Sequence, residues 1–320
     1  MSTAPIGGAG SARDTETRLA RVFAGARARG RKVLIAYLCV GDPSLEESAA
    51  LCLAAADAGA DVLELGVPFS DPTADGPAIA RASERALRAG ATFDGVVAVA
   101  AAVRARSDVP MVLFGYYNPL LVTGENAAVE RAAAAGIDAL LVVDLPPDEG
   151  PVLRAAAARA NMPVIPLLAP TSDEARVDAV LAGARGGFIY YVSVTGVTGS
   201  LAQERSQARG LPRSLAQERG LPRSLAPDGA GVSPLALASR RSAEIAQRCG
   251  LPVVVGFGID GPDAARVAAG PRGSGADGVV VGTALVKAIE SSQSAAARRA
   301  ALVELVGALR RALDEDAPPG

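Results

Sequence analysis

The chain of 320 residues contains no histidine. That absence removes the side chain that most often moves protons near neutral pH, so acid–base chemistry falls to carboxylates, Tyr, Lys, Cys or water. With no histidine and no cluster of metal-ligand spacing, a zinc site has no candidates, and no metal is expected. Cysteine is scarce. Cys39, Cys52 and Cys249 are odd in number and share no motif spacing, so they read as small buried hydrophobes in a reducing compartment rather than as a disulfide framework or a thiol centre. No apolar run approaches the roughly 18 residues needed to span a bilayer. The opening MSTAPIGGAGSARD lacks a basic region followed by an apolar core, so it reads as a short flexible tail over residues 1–13 rather than a secretory signal. A net charge of −2 supplies no general attraction to nucleic acid or to an anionic membrane. A Gly-x-Gly-x-x-Gly run with a downstream acid is missing, which leaves a nicotinamide Rossmann site without support. A cytoplasmic protein with no nucleic-acid or membrane partner is expected.

What is present is a large apolar content: half of the residues, enough for a sizeable core and too much for a disordered chain. Short β-like runs alternate with longer Ala/Leu-rich helical ones. The strand candidates are Lys32–Leu38, Asp61–Leu65, Pro110–Gly115, Ala139–Val143, Pro163–Leu168, Gly187–Val192, Pro252–Gly256 and Gly278–Val281. Helical patterns lie at Leu45–Ala58, Pro77–Ala89, Glu125–Ala135, Pro147–Ala160, Ser172–Leu181, Ser242–Cys249 and Gly261–Ala269. Others open the chain (Thr15–Ala28) and close it (Ser294–Leu313). Strands such as ALLVVD are apolar on both faces, as in a parallel sheet covered by helices. Eight such units predict a single-domain α/β fold, a (β/α)8 barrel over residues 14–316 with an extra N-terminal helix. A doubly wound open sheet is the alternative the pattern leaves open.

On the barrel reading the polar and glycine-rich segments after each strand share one face, where barrel active sites sit. The most informative is Leu63 to Pro77, LELGVPFSDPTADGP. It places Glu64 inside an otherwise apolar strand and Asp75 eleven positions later in a Gly/Pro-rich loop. An unpaired buried carboxylate costs several kcal/mol or shifts its pKa until it neutralises. Period-2 alternation puts Val62 and Glu64 on one side and Leu63 and Leu65 on the other. If the leucines face the helices, Glu64 faces the barrel interior near its mouth. It is then a general acid/base, unless backbone donors or an Arg simply satisfy it. Asp75, in Asp-Gly-Pro before a helix, is explained equally well as an N-cap. Two carboxylates in different environments can take different roles.

Gly256-Phe-Gly258 and Gly282-Thr283 follow the last two strands and would present backbone N–H groups beside helix N-termini, a common phosphate site in barrels. Thr198 and Gly199 could complete such a cup. Tight βα turns, with Thr283 as a cap, would use the same residues. Tyr190, Tyr37 and Tyr116 lie in or beside strands, where packing is the commoner role of tyrosine.

One region breaks the pattern. SLAQERSQARGLPR (200–213), SLAQERGLPR (214–223) and SLAPDGAG (224–231) form an imperfect tandem repeat too short to bury a core. The segment 200–232 reads as a solvated, disordered insertion after the sixth strand, or as a basic docking segment for a partner or RNA.

With these motifs in hand, the chain resembles the tryptophan synthase α subunit family across nearly its whole length apart from the tail and the insertion. ELGVPFSDPTADGP carries the most specific match. FGYYNPLL, LLVVDLPPDE, SVTGVTG, VVVGFGI and GTALVKAIE follow in the family's order. The resemblance implies a lyase of tryptophan biosynthesis performing retro-aldol cleavage of indole-3-glycerol phosphate to indole and glyceraldehyde 3-phosphate. It implies Glu64 as the main acid/base and Asp75 as the carboxylate that holds the indole N–H. Tyr190 is then the aromatic residue beside Glu64. Tyr37, Tyr116, Thr198, Gly199, Gly258, Gly282 and Thr283 become substrate-binding. It further implies no cofactor in this chain and a β subunit carrying pyridoxal phosphate, in a heterotetramer with two of each chain. A free-standing lyase and a non-catalytic sugar-phosphate-binding barrel are the alternatives. Tyr37 and Cys39 stand where the family often has Phe and Thr, which alters the pocket lining rather than the chemistry. The insertion falls in the loop that should close over substrate, so closure and signalling to the β subunit are expected to change while Glu64 chemistry survives.

Overall fold

All eight expected strands form, and every pairing between them is parallel. The structure, a computed structural model, describes residues 17–193 and 233–315. The expected tail (1–13) and insertion (200–232) lie outside these described residues. The first half runs α1 (Arg18–Ala28), β1 (Val33–Cys39), α2 (Leu45–Asp57), β2 (Val62–Gly66), α3 (Pro77–Arg88), α4 (Phe93–Arg104), β3 (Met111–Gly115), α5 (Tyr117–Thr123), α6 (Glu125–Ala134) and β4 (Ala139–Val142). The second runs α7 (Pro151–Arg159), β5 (Leu167–Leu168), α8 (Glu174–Gly183), β6 (Ile189–Val192), α9 (Pro234–Cys249), β7 (Val253–Gly256), α10 (Pro262–Ala269), β8 (Gly278–Val281), α11 (Thr283–Glu290) and α12 (Ala295–Asp314). Among the described residues no single helix is long and apolar enough to cross a membrane.

The sheet order is β4-β3-β2-β1-β8-β7-β6-β5. Its two ends meet through a parallel bridge between Leu140 and Val164. There the Leu140 N–H donates to the Pro163 carbonyl at 2.9 Å and the Ile165 N–H to the Leu140 carbonyl at 2.7 Å. The ring therefore closes, and the open-sheet alternative falls. The seam is thin for a chemical reason. The expected strand Pro163–Leu168 contains Pro163 and Pro166, neither of which has an N–H to give the ladder, so only Leu167–Leu168 and the bridge survive.

Alternation along the strands sorts the core into two layers. Leu34, Ala36, Leu63, Leu65, Leu113 and Leu140 pack outward with the helices. Val33, Ile35, Val62, Val112, Leu141, Val254 and Val280 point inward. The extra N-terminal helix α1 closes the bottom: Leu19, Phe23 and Ala26 join the inner layer, with Phe23 against Phe188 at 5.5 Å between ring centroids. Three aspartates, each directly before a strand, tie it to the strand before it. Asp61 accepts from the Leu34 N–H at 2.9 Å, Asp138 from Met111 at 2.8 Å and Asp277 from Val253 at 2.9 Å.

Helices α4, α5 and α11 were not among the expected ones, and α9 begins at Pro234 rather than Ser242. The α4 sequence FDGVVAVAAAVR is nearly all Val and Ala, without a polar stripe to mark a helical period. Its start is set by Thr92, whose hydroxyl accepts the Gly95 N–H at 3.2 Å.

Candidate active site

Glu64 stands in the middle of β2, in register with Tyr37 on β1 and Val112 on β3. Because Leu63 and Leu65 pack against the helices, Glu64 points into the barrel. It is only 1% exposed, and its Oε1 has no hydrogen-bond partner. Nothing repays the cost of ionising it, so burial pushes its pKa up to about 8. A carboxylate satisfied by backbone donors or an Arg, the structural alternative for this residue, is not what is found.

Asp75 lies in the loop between β2 and α3. The cap of α3 is Gly76, with no side-chain capping bond, so Asp75 is not the N-cap. Burial pushes its pKa up to about 6, partly offset by a hydrogen bond from the Tyr116 hydroxyl. That hydroxyl also accepts the Ala74 N–H at 3.0 Å. Tyr116 thus holds the loop from behind.

Both carboxylates line one cavity, together with Tyr37, Tyr190, Gly258, Gly282 and Thr283. Tyr37 meets the Phe114 ring edge-on at 5.2 Å, and Tyr190 meets Phe257 edge-on at 5.8 Å. The two tyrosines fit because of glycines at strand ends. A Cβ on Gly66 would lie 2.4 Å from the Tyr37 hydroxyl oxygen, and one on Gly256 would lie 2.0 Å from that of Tyr190. Burial raises both phenol pKa values well above the ordinary value, with Glu64 and Asp75 adding negative potential. Thr283 is the first residue of α11, and its cap position is Gly282, so Thr283 is not itself the cap. Tyr116 touches the site only through the Asp75 loop. Thr198 and Gly199 lie outside the described residues.

The wall includes residues the motifs did not single out: Ile79, Phe114, Phe257, Ile259 and Val280. Phe114 and Val280 were findable, since each falls on an inward position of its strand. Phe257 was not, because its backbone is left-handed at φ +68, which no local signal marks in a phenylalanine. Among the described residues no group of three or more Cys, Asp or Glu is placed to hold a metal ion.

The family model described as "Tryptophan synthase alpha chain" matches residues 23–238 and 238–314. The chain belongs to the tryptophan synthase alpha chain family. It is 44% identical over 298 residues to the tryptophan synthase alpha chain of Geobacter sulfurreducens, covering 93% of this chain and 99% of the relative. The alpha chain of Xanthomonas oryzae pv. oryzae is 42% identical over 294 residues, with 92% and 97% covered. Among solved structures, Mycobacterium tuberculosis tryptophan synthase superposes with a TM-score of 0.72 at 33% identity, covering 93% of this chain and 98% of that one. A Legionella pneumophila tryptophan synthase alpha chain superposes with a TM-score of 0.71 at 29% identity, with 93% and 97% covered.

In this chain the two carboxylates sit in different protonation states at one pH. Between about 6 and about 8, Asp75 is ionised while Glu64 keeps its proton. The cavity therefore holds a proton donor and a fixed anion together, which suits an aromatic substrate that must be protonated on one atom and stabilised as a cation on another.

Proposed function

We propose that the chain cleaves indole-3-glycerol phosphate to indole and glyceraldehyde 3-phosphate, and that it passes the indole to a β subunit. The observation that carries this reading is the split between Glu64 and Asp75 within one cavity. Protonated Glu64 delivers its proton to C3 of the indole ring. The positive charge that develops over the ring reaches its nitrogen, whose N–H donates to ionised Asp75. Glu64, now a carboxylate, takes the proton of the glycerol hydroxyl. The bond between indole C3 and the glycerol carbon breaks, its electron pair returns to the ring, and the alcohol carbon becomes the aldehyde. Glu64 ends as it began, protonated.

Tyr190 stands beside Glu64 as part of the wall that keeps water from it, and Tyr37 and Phe114 flank the ring. At the other end, Gly258, Gly282 and Thr283 offer a glycine-rich turn and the start of α11 to the phosphate. Thr198 and Gly199 complete this cup by family resemblance. Binding the phosphate supplies energy remote from the reacting bond and positions the ring. The scheme calls for no cofactor on this chain, pyridoxal phosphate belonging to the β partner.

Docking of that partner, in an assembly with two of each chain, is supported by an apolar patch beside the site. Leu121 and Val122 on α5 are 51% and 80% exposed, and α5 follows directly from Tyr116, the residue that holds the Asp75 loop. The deciding experiment is indole formation from indole-3-glycerol phosphate by wild type and Glu64→Gln, with and without a β subunit. Wild type should form indole, more rapidly with β, and Glu64→Gln should lose about 10²–10⁴ in rate. Full activity in Glu64→Gln would refute the assignment.

A further inference from the structure

Phe257 is held at φ +68, a conformation that costs an L-residue with a bulky side chain of the order of 1–2 kcal/mol. It is followed by Gly258 at φ +72, so two consecutive left-handed residues leave the end of β7. Strain of this kind persists only where the surroundings over-determine it. The residue bonded to this turn is Ser193, directly after β6 and 4% exposed. Its N–H donates to the Gly256 carbonyl at 3.0 Å, and its hydroxyl donates to the Phe257 carbonyl in a short hydrogen bond. One serine thus grips two successive carbonyls of the turn.

The consequence reaches the cavity in two ways. The Phe257 ring is set edge-on to Tyr190, at 71° between planes. The Gly258 N–H has no acceptor among the described residues, and Gly258 lines the cavity. A side chain at Gly258 would have room, its Cβ lying 3.6 Å from the Ser193 hydroxyl. The glycine is required by its φ rather than by space.

We propose that Ser193 is a positioning residue for the anion end of the site: by tethering the Phe257 carbonyl it keeps the turn left-handed and presents the Gly258 N–H to the substrate's phosphate. This rests on the reading of the cavity as a site for a phosphorylated indole. Ser193 touches no substrate in this account and acts through residues 257 and 258.

The test uses the full chain with its β partner. The Kd for inorganic phosphate, and kcat and KM for indole-3-glycerol phosphate, are measured for wild type, Ser193→Ala, Phe257→Gly and the double variant. Losing one hydrogen bond that holds the donor should weaken phosphate binding and raise KM about five- to tenfold in Ser193→Ala. The pH profile of kcat should not move. Glycine adopts the left-handed turn without a tether, so Ser193→Ala in the Phe257→Gly background should cost less than about twofold. Should Ser193→Ala fail to fold, the isosteric pair Ser193→Thr and Ser193→Val makes the same comparison, with only the hydroxyl-bearing variant expected to bind phosphate as wild type does. An unchanged phosphate Kd in Ser193→Ala, equal losses in both backgrounds, or a fall in kcat at constant KM would each overturn the proposal. If wild type cleaved no indole-3-glycerol phosphate while phosphate binding still followed the cycle, the reaction would be wrong and the tether right. Cleavage with phosphate binding indifferent to Ser193 would mean the reverse.

Discussion

The Tyr190 hydroxyl occupies the place where a side chain on Gly256 would begin. An added Cβ would lie 2.0 Å from that oxygen and 2.2 Å from the ring carbon that bears it. The same relation, at 2.4 Å, holds between Gly66 and Tyr37. Each tyrosine reaches the cavity across a bare strand end. Gly256→Ala is therefore expected to cost about 1–3 kcal/mol of stability from overpacking and to displace Tyr190 from Glu64. Tyr190→Phe should not rescue it, because the ring carbon clashes as well, whereas Tyr190→Leu should recover part of the loss. Chemical denaturation of Gly256→Ala and of its two double variants checks this; an unperturbed Gly256→Ala chain would contradict the packing.

Glu64 should make the fold weaker as pH rises. In the unfolded chain it ionises near its ordinary value of 4.5, while in the folded chain it holds its proton to about 8. Across that window the folded state binds more protons, so stability falls with pH, by the order of a few kcal/mol at the alkaline end. Glu64→Gln removes this penalty. The variant should match wild type near pH 4.5 and exceed it at pH 8 in urea melts, with the gap widening between about 4.5 and about 8 and level above that. A constant gap would mean that Glu64 is not held protonated.

The kcat/KM profile should be bell-shaped, because the reaction needs Asp75 ionised and Glu64 protonated. Activity should rise as Asp75 loses its proton near 6 and fall as Glu64 loses its own near 8. Asp75→Asn should lower the rate and remove the acid limb while leaving the alkaline one. An alkaline limb abolished by Asp75→Asn instead would reverse the roles.

Asp138 takes the Met111 N–H at 2.8 Å, Arg104 at 2.9 Å and Arg18 at 3.1 Å. Asp138→Ala strands the Met111 N–H and takes the carboxylate from Arg104 and Arg18, which keep the Gly136 and Ser107 carbonyls and Asp108 as partners. The change should cost about 3 kcal/mol. The loss should appear as a lower urea midpoint with little change in KM, since the aspartate ties the bottom of the barrel, far from the mouth.

Val122→Asp should weaken β-subunit binding by about tenfold or more if the patch on α5 is buried by the partner. Indole formation by the isolated chain should be unchanged. Titration of β against each chain reads both, and an unaltered β affinity would place the contact elsewhere.

Several features were legible in the sequence because they depend on neighbours along the chain. The eight apolar runs marked the strands, and the position of Glu64 between Leu63 and Leu65 placed it inside once the leucines were assigned outward. The helices α4 and α5 were not legible: in the first Val and Ala blur the amphipathic period, and the second was hidden in a loop motif, YYNP. The shortening of β5 was written in Pro163 and Pro166 and can be read back from them. For Asp75 the local pattern supported a helix cap as well as a functional carboxylate, and the anchor role came only from the family resemblance; the cap position turned out to be Gly76. Thr198, Gly199 and the 200–232 insertion lie outside the described residues, so the expectation of an altered lid stands where the sequence left it.

By itself the sequence determined the alternation of strands and helices, the two-faced burial of the sheet and the presence of a carboxylate where an apolar residue would be cheaper. These follow from periodicity and composition, which act over a few residues. Only the tertiary structure decided that Glu64 and Asp75 share a cavity, that their proton affinities separate, and that Phe257 is held left-handed by a serine some sixty positions away. Closing the barrel sets residues distant in the chain side by side and withdraws water from them. A pKa or a backbone strain belongs to those surroundings, which exist only once the ring is closed.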